Sequence, residues 1–112
     1  MEIGLKHNGK KFFLNAKKLS FFGKFWGLMF SRREKAEILL FSFRKPKRWA
    51  IHSFFVFFPF VGIWIDGDGK IVEIRKIPSW KLHIVPEKKF VKLIEIPCNK
   101  KYFKILQFLD ES

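Results

Sequence analysis

The chain has 112 residues, 48% of them hydrophobic and 16 of them Phe, with 23 Lys and Arg set against 10 Asp and Glu for a formal charge of +13. That much apolar surface excludes intrinsic disorder, and the length suits a single domain over residues 1–112 that buries its core without staples. The lone Cys98 excludes an internal disulfide, and the positive balance favours polyanions or acidic surfaces without bearing on the fold.

The opening MEIGLKHNGKK has no apolar stretch of signal-peptide length, so a cytoplasmic location is expected. Within it Asn8-Gly9 lies between IGLK and KFFL, the strongest short hairpin signal, and predicts that the chain opens with a β-hairpin. In LSFFGKFWGLMF the residues Leu19, Phe22, Trp26 and Met29 recur at helical spacing, with Ser20 placed to cap the start and Gly27 the end. A short helix is expected there. AEILLFSF, Ala36 to Phe43, reads as a strand, and RKPKR separates it from Trp49 as a loop.

HSFFVFFPFVGIWID, His52 to Asp66, approaches the length of a membrane span. Pro59 and Gly62 would break a helix at its centre, and the surrounding Phe, Val, Ile and Trp residues are strand formers. The run is therefore read as two buried segments, Phe54 to Phe58 and Val61 to Ile65, with no membrane span. DGDG, Asp66 to Gly69, then turns the chain into KIVEIRKI, Lys70 to Ile77. Alternation of Trp80, Leu82 and Ile84 with Lys81, His83 and Val85 predicts another strand, stopped by Pro86. FVKLIEI, Phe90 to Ile96, predicts one more, closed by Pro97. Asn99 is expected to cap a final helix through Leu106, with Phe103 and Leu106 facing inward.

Signatures of chemistry fail on inspection. In a calcium loop starting at Asp66, the fifth, sixth and twelfth places would hold Lys70, Ile71 and Ile77 where ligands and glycine are needed, so DGDG reads as a turn. His7, His52 and His83 are scattered and no Cys pair accompanies them, so no metal site is expected. Phe55, Val56 and Phe58 echo the end of an RNA-recognition signature, but His52 and Ser53 stand where its Gly and aromatic belong, and a core role is the better reading. Cys98 has no local signature of a nucleophile. No catalytic residue and no cofactor is assigned.

The best polar candidate is Arg44, Lys45, Lys47 and Arg48 followed by Trp49: four cations beside an aromatic suit phosphate contacts and the stacking of a base. Short basic runs also occur as plain solvated loops, which is the competing account.

Three stretches in order, WGLMFSRR at Trp26 to Arg33, ILLFSF at Ile38 to Phe43 and IWIDGDGKIVEI at Ile63 to Ile74, together with LIEIP at Leu93 to Pro97, resemble the uncharacterised family DUF192. Its members carry Gly-Leu-Met-Phe, then Met-Leu-Phe-x-Phe, then Pro-Leu-Asp before an apolar strand ending in Asp-Gly. The resemblance implies a mainly β fold, a single-domain β-sandwich or barrel-like structure with two short helices, and it implies no established enzyme activity. Val61 stands where the family has its Asp after Pro, so any role of that carboxylate is lost. The family's Trp-Met-Lys-Asn-Thr is at best Trp49 to Ser53, and the family continues into a final strand where this chain has Asp110, Glu111 and Ser112. The expected function is non-enzymatic binding or interaction with a partner the sequence does not identify; binding of nucleic acid or another polyanion through the basic loop is the alternative, and an enzyme of unknown reaction the third.

Overall fold

The computed structural model describes residues 1–19, 32–48, 56–80 and 84–110. Strands β1 (Glu2–His7) and β2 (Lys10–Asn15) form an antiparallel hairpin in which His7 pairs with Lys10. Asn8 and Gly9 between them have φ of 51° and 78°, the two left-handed positions of a type I′ turn, and this is why Asn-Gly predicts it.

The main sheet has five strands, β3 (Lys17–Lys18), β4 (Leu39–Lys47), β5 (Phe60–Ile65), β6 (Ile71–Ile77) and β7 (Phe90–Pro97), in the spatial order β3-β4-β7-β5-β6. Among the described residues the β3–β4 pair is parallel and the other pairs are antiparallel. A 3₁₀ turn (Lys100–Tyr102) and a helix, α1 (Phe103–Asp110), follow β7. The protein is mainly β, as expected. The predicted Leu19–Phe30 helix lies, but for Leu19, outside the described residues.

Both faces of the main sheet are covered. On one face Val61, Ile63, Ile65, Ile94 and Ile96 meet Leu5, Phe12 and Leu14 of the hairpin and Leu109 of α1. On the other, Phe60, Trp64, Phe90 and Leu93 meet Val56, Phe58 and Ile84. Every residue of β5 is consequently buried, which accounts for an apolar run without polar alternation and with no membrane involved. No helix among the described residues is long and apolar enough to cross a membrane.

Several boundaries differ from expectation. Residues 54 and 55 lie outside the described residues, and Val56 to Pro59 is not part of a strand, with a bend at Phe58, so the ladder begins at Phe60. Pro59 has no N–H to give to a ladder, and its carbonyl accepts the Cys98 N–H at 3.0 Å. β4 starts three residues later than predicted and runs on through RKPK, which is strand and not loop. A register irregularity between Ser42 and Lys47 accommodates Pro46. Of the predicted Trp80 to Val85 strand, residues 81–83 lie outside the described residues; Trp80 sits in a turn at φ 61°, and Ile84 makes an isolated bridge. The Trp80 ring instead packs edge-on against Phe57, 5.5 Å between centroids.

The C-terminal helix is also phased differently. The 3₁₀ turn takes up Lys100 to Tyr102, and the inward stripe becomes Tyr102, Ile105, Leu106 and Leu109, spaced i, i+3, i+4, i+7. Leu106 packs on the core as predicted, whereas Phe103 is 64% exposed and does not face inward. Asn99 holds the cap position, but its side chain makes no capping bond. Its Nδ2 donates to the carbonyls of Arg33 at 2.7 Å and Ala36 at 3.1 Å, pinning the turn before β4.

Candidate functional site

The basic cluster singled out from sequence is placed at the end of β4. Lys45 and Arg48 are exposed, and the Arg48 Nε donates to the Pro86 carbonyl at 2.9 Å, which fixes where that side chain leaves the sheet. The side chains of Arg44 and Lys47 and all of Trp49 lie outside the described residues. Two members of the patch are thus described, both exposed, and the stacking partner is not among what the structure describes.

A second site was not anticipated. Between α1, the β5–β6 hairpin and the β1–β2 turn lies a cleft of about 620 Å³, within the range of about 300–1,000 Å³ usual for small-molecule sites. Val61 and Ile74 line it from the sheet, and Leu106 and Leu109 from the helix. Lys76 and Cys98 belong to the end near the start of α1, where Phe103 forms the exposed rim. His7, Asn8 and Asp110 belong to the other end, where the His7 ring meets the Phe108 ring edge-on at 5.6 Å. Antiparallel pairing puts Lys76 directly opposite Val61, so these two are neighbours by register although fifteen residues apart in sequence.

Electrostatics differ between the two ends. The Arg33 Nε donates to the Cys98 carbonyl at 2.7 Å, which brings a guanidinium to the Lys76 end. Burial pushes the Cys98 thiol up, while the charges of Lys76 and Arg33 pull against that rise. The net direction is upward, so the thiol stays protonated near neutral pH and is a poor nucleophile. Cys98 is therefore a lining group and a weak donor. Among the described residues no three His, Cys, Asp or Glu side chains gather as metal ligands.

The DGDG segment is fully occupied as a turn. Asp66 Oδ1 accepts the N–H groups of Asp68 at 3.0 Å and Lys70 at 2.9 Å, and the Gly69 N–H donates to the Asp66 carbonyl at 3.1 Å. Val56 and Phe58 are buried in the core, so the echo of an RNA-recognition strand presents neither to a base.

Sequence reasoning also passed over Glu95. It lies in β7 between Leu39 of β4 and Gly62 of β5, is buried, and has its carboxyl pushed up from 4.5 to about 8 by desolvation. On the neighbouring strand β5, two residues along from the Gly62 that faces Glu95, is Trp64, whose buried Nε1 has no hydrogen-bond partner among the described residues. The available signal was a single acid inside an apolar strand, LIEIP, whose neighbours offered no wet face to receive it.

The DUF192 family model, Uncharacterized ACR, matches residues 7–102. The chain belongs to the DUF192 family. Two solved structures are similar to this DUF192 member. One is a protein of unknown function from Novosphingobium aromaticivorans DSM 12444, with a TM-score of 0.71 at 13% identity over 91% of this chain and 75% of that one. The other, from Sinorhizobium meliloti 1021, is described as a "putative transcription regulator" and gives a TM-score of 0.73 at 18% identity over 93% of this chain and 83% of that one. At such identities the likeness is one of fold. No curated protein matches the chain. Val61, the position where the sequence resemblance expected an Asp, is a wall of the cleft.

Proposed function

We propose that this DUF192 member is a non-enzymatic binding module whose ligand site is the cleft between α1 and the β5–β6 hairpin. The observation that supports this is the cleft's construction: apolar walls supplied by Val61, Ile74, Leu106 and Leu109, with polar groups at both ends and Gln107 between them on the helix, is the usual make-up of a small-molecule site. A Cys98 thiol held protonated by burial favours binding over catalysis. A single, half-buried free cysteine suits the reducing conditions of a cytoplasmic protein.

The test is native mass spectrometry of the protein drawn from its own cells, beside a Leu106→Trp variant. The larger side chain fills the cleft from a partly exposed helix position, so the fold should persist, with an unchanged far-UV spectrum, while the bound small molecule is lost. Equal occupancy in the two proteins, or a wild-type protein free of any small ligand, would remove the cleft as the site.

A second reading rests on the exposed Lys45 and the anchored Arg48. Together with Arg44, Lys47 and Trp49 they would form a phosphate-contacting patch, a role in keeping with the charge of +13 and with the regulator description carried by the Sinorhizobium neighbour. Four phosphate contacts on a duplex would give a slope of log affinity against log salt of roughly −3.6, at about −0.9 per contact. Reversing these four cations to Glu should abolish binding, whereas reversing Lys88, Lys89, Lys92 and Lys100 should not. Equal losses from both sets would assign the attraction to net charge alone.

A further inference from the structure

Resting on the cleft as a binding site, we infer that its ligand is a small amphipathic carboxylate, an unbranched acyl chain of medium length with its carboxylate at the Lys76 end. Three features select this class. Leu106 and Leu109 of α1 and Val61 and Ile74 of the sheet give the cleft aliphatic surface on both sides, with Gln107 as the one uncharged amide of the helix beside them, so the walls reward an alkyl chain. Phe103 stands at the rim with 64% of its surface in water, an apolar surface that a chain entering the cleft would cover.

The second feature is the charge at one end. Lys76 is exposed, and the residue facing it across the β5–β6 ladder is the apolar Val61, so the ladder supplies no carboxylate to neutralise it. The Arg33 guanidinium is held at the same end through its bond to the Cys98 carbonyl. Lys100, Lys101 and Lys104, all exposed around the start of α1, add to the positive field there. The Cys98 thiol is available as a weak donor to a carboxylate oxygen.

The third feature is polarity of the cleft as a whole. Asp110 lines the opposite end, where its carboxylate repels a bound anion and so sets the ligand's direction. From Phe103 to Leu109 the helix rises about 9 Å, at about 1.5 Å per residue, which is the reach of an extended chain of about eight carbons. Octanoate is therefore the probe of choice.

Titration calorimetry of the full chain with octanoate, octanol and octylamine separates the ideas. Octanoate should bind, octanol at least tenfold more weakly, and octylamine not measurably. Lys76→Glu, at an exposed position that leaves the core intact, should cost octanoate at least tenfold and admit octylamine, while Lys76→Arg should retain octanoate. Lys45→Glu with Arg48→Glu should leave octanoate binding within twofold, since that patch is elsewhere. Octyl sulfate and octyl phosphate binding as tightly as octanoate, with octanol weak, would overturn the choice of carboxylate. Octanol matching octanoate, or octanoate indifferent to Lys76→Glu, would overturn the charge argument, and retained sensitivity of octanol to Leu106→Trp would then leave the cleft itself standing as a site. Failure of all the probes to bind overturns the inference, and the cleft reading is then judged on the Leu106→Trp mass spectra alone.

Discussion

Glu95→Gln should change how stability responds to pH more than it changes stability itself. In the folded protein desolvation raises the Glu95 carboxyl from 4.5 to about 8, so the native state holds this proton more tightly than the unfolded chain does. The sign follows from linkage: the stabilising contribution is fully present below about pH 4.5, declines as pH rises, and is lost once pH passes about 8. At about 1.36 kcal/mol per pKa unit, the rise of about 3.5 amounts to roughly 3–5 kcal/mol between those limits. A substantial part of a typical domain stability of about 5–15 kcal/mol is therefore at stake. Gln keeps the shape of the protonated acid and cannot ionise. Urea denaturation from pH 5 to pH 9 should show wild type losing several kcal/mol relative to Glu95→Gln, with the variant level or slightly weaker at pH 5, where its extra amide hydrogens need partners, and clearly more stable at pH 9. Parallel stability curves across that range would refute the reasoning and mean that Glu95 reaches water or a cation in the native state.

The turn and the helix give two further tests. Gly69 has φ +81°, a conformation that strains a β-branched residue, so Gly69→Val should lower stability by about 1 kcal/mol or more, read as a drop in Tm, and an unchanged Tm would mean that the turn conformation is wrong. The phase of α1 predicts that Leu109→Ala costs about 2–5 kcal/mol in chemical denaturation while Phe103→Ala stays within about 0.5 kcal/mol, as an exposed site should; the reverse order would restore the inward-facing Phe103.

Local features were legible because local physics decides them. Asn8-Gly9 and Asp66 to Gly69 carry their own left-handed preferences, and β5 and β7 carry apolar runs that only a sheet covered on both faces can hide. What failed was phase and pairing. Pro46 inside β4 breaks the local rule that proline ends a strand, and only the register irregularity against β7 makes room for it. The last helix slipped because a 3₁₀ turn consumed three residues, and the apolar positions of KYFKILQFL fit two inward stripes nearly equally well until the turn selects Leu109 over Phe103. Trp80 looked like the start of a strand by alternation, yet it belongs with Ser79 to a turn, and its ring lies against Phe57.

The candidate site was illegible for a different reason. The basic patch could be seen because its residues are contiguous, whereas the cleft draws one turn, two strands, the end of a third and a helix into contact, and none of those segments carries a ligand-binding motif. Val61 is the exception, since its departure from the family pattern was visible in sequence without any indication of what the position faces. The β5–β6 register supplies that: it sets Val61 against Lys76, and both line the same cleft. With Asp at this position the two side chains would form a cross-strand ion pair, and the cation would be spoken for. With Val the wall is apolar and Lys76 keeps its charge for something else. The residue at position 61 thus sets both the polarity of a wall and the charge balance at one end of the cleft without touching the core pairing.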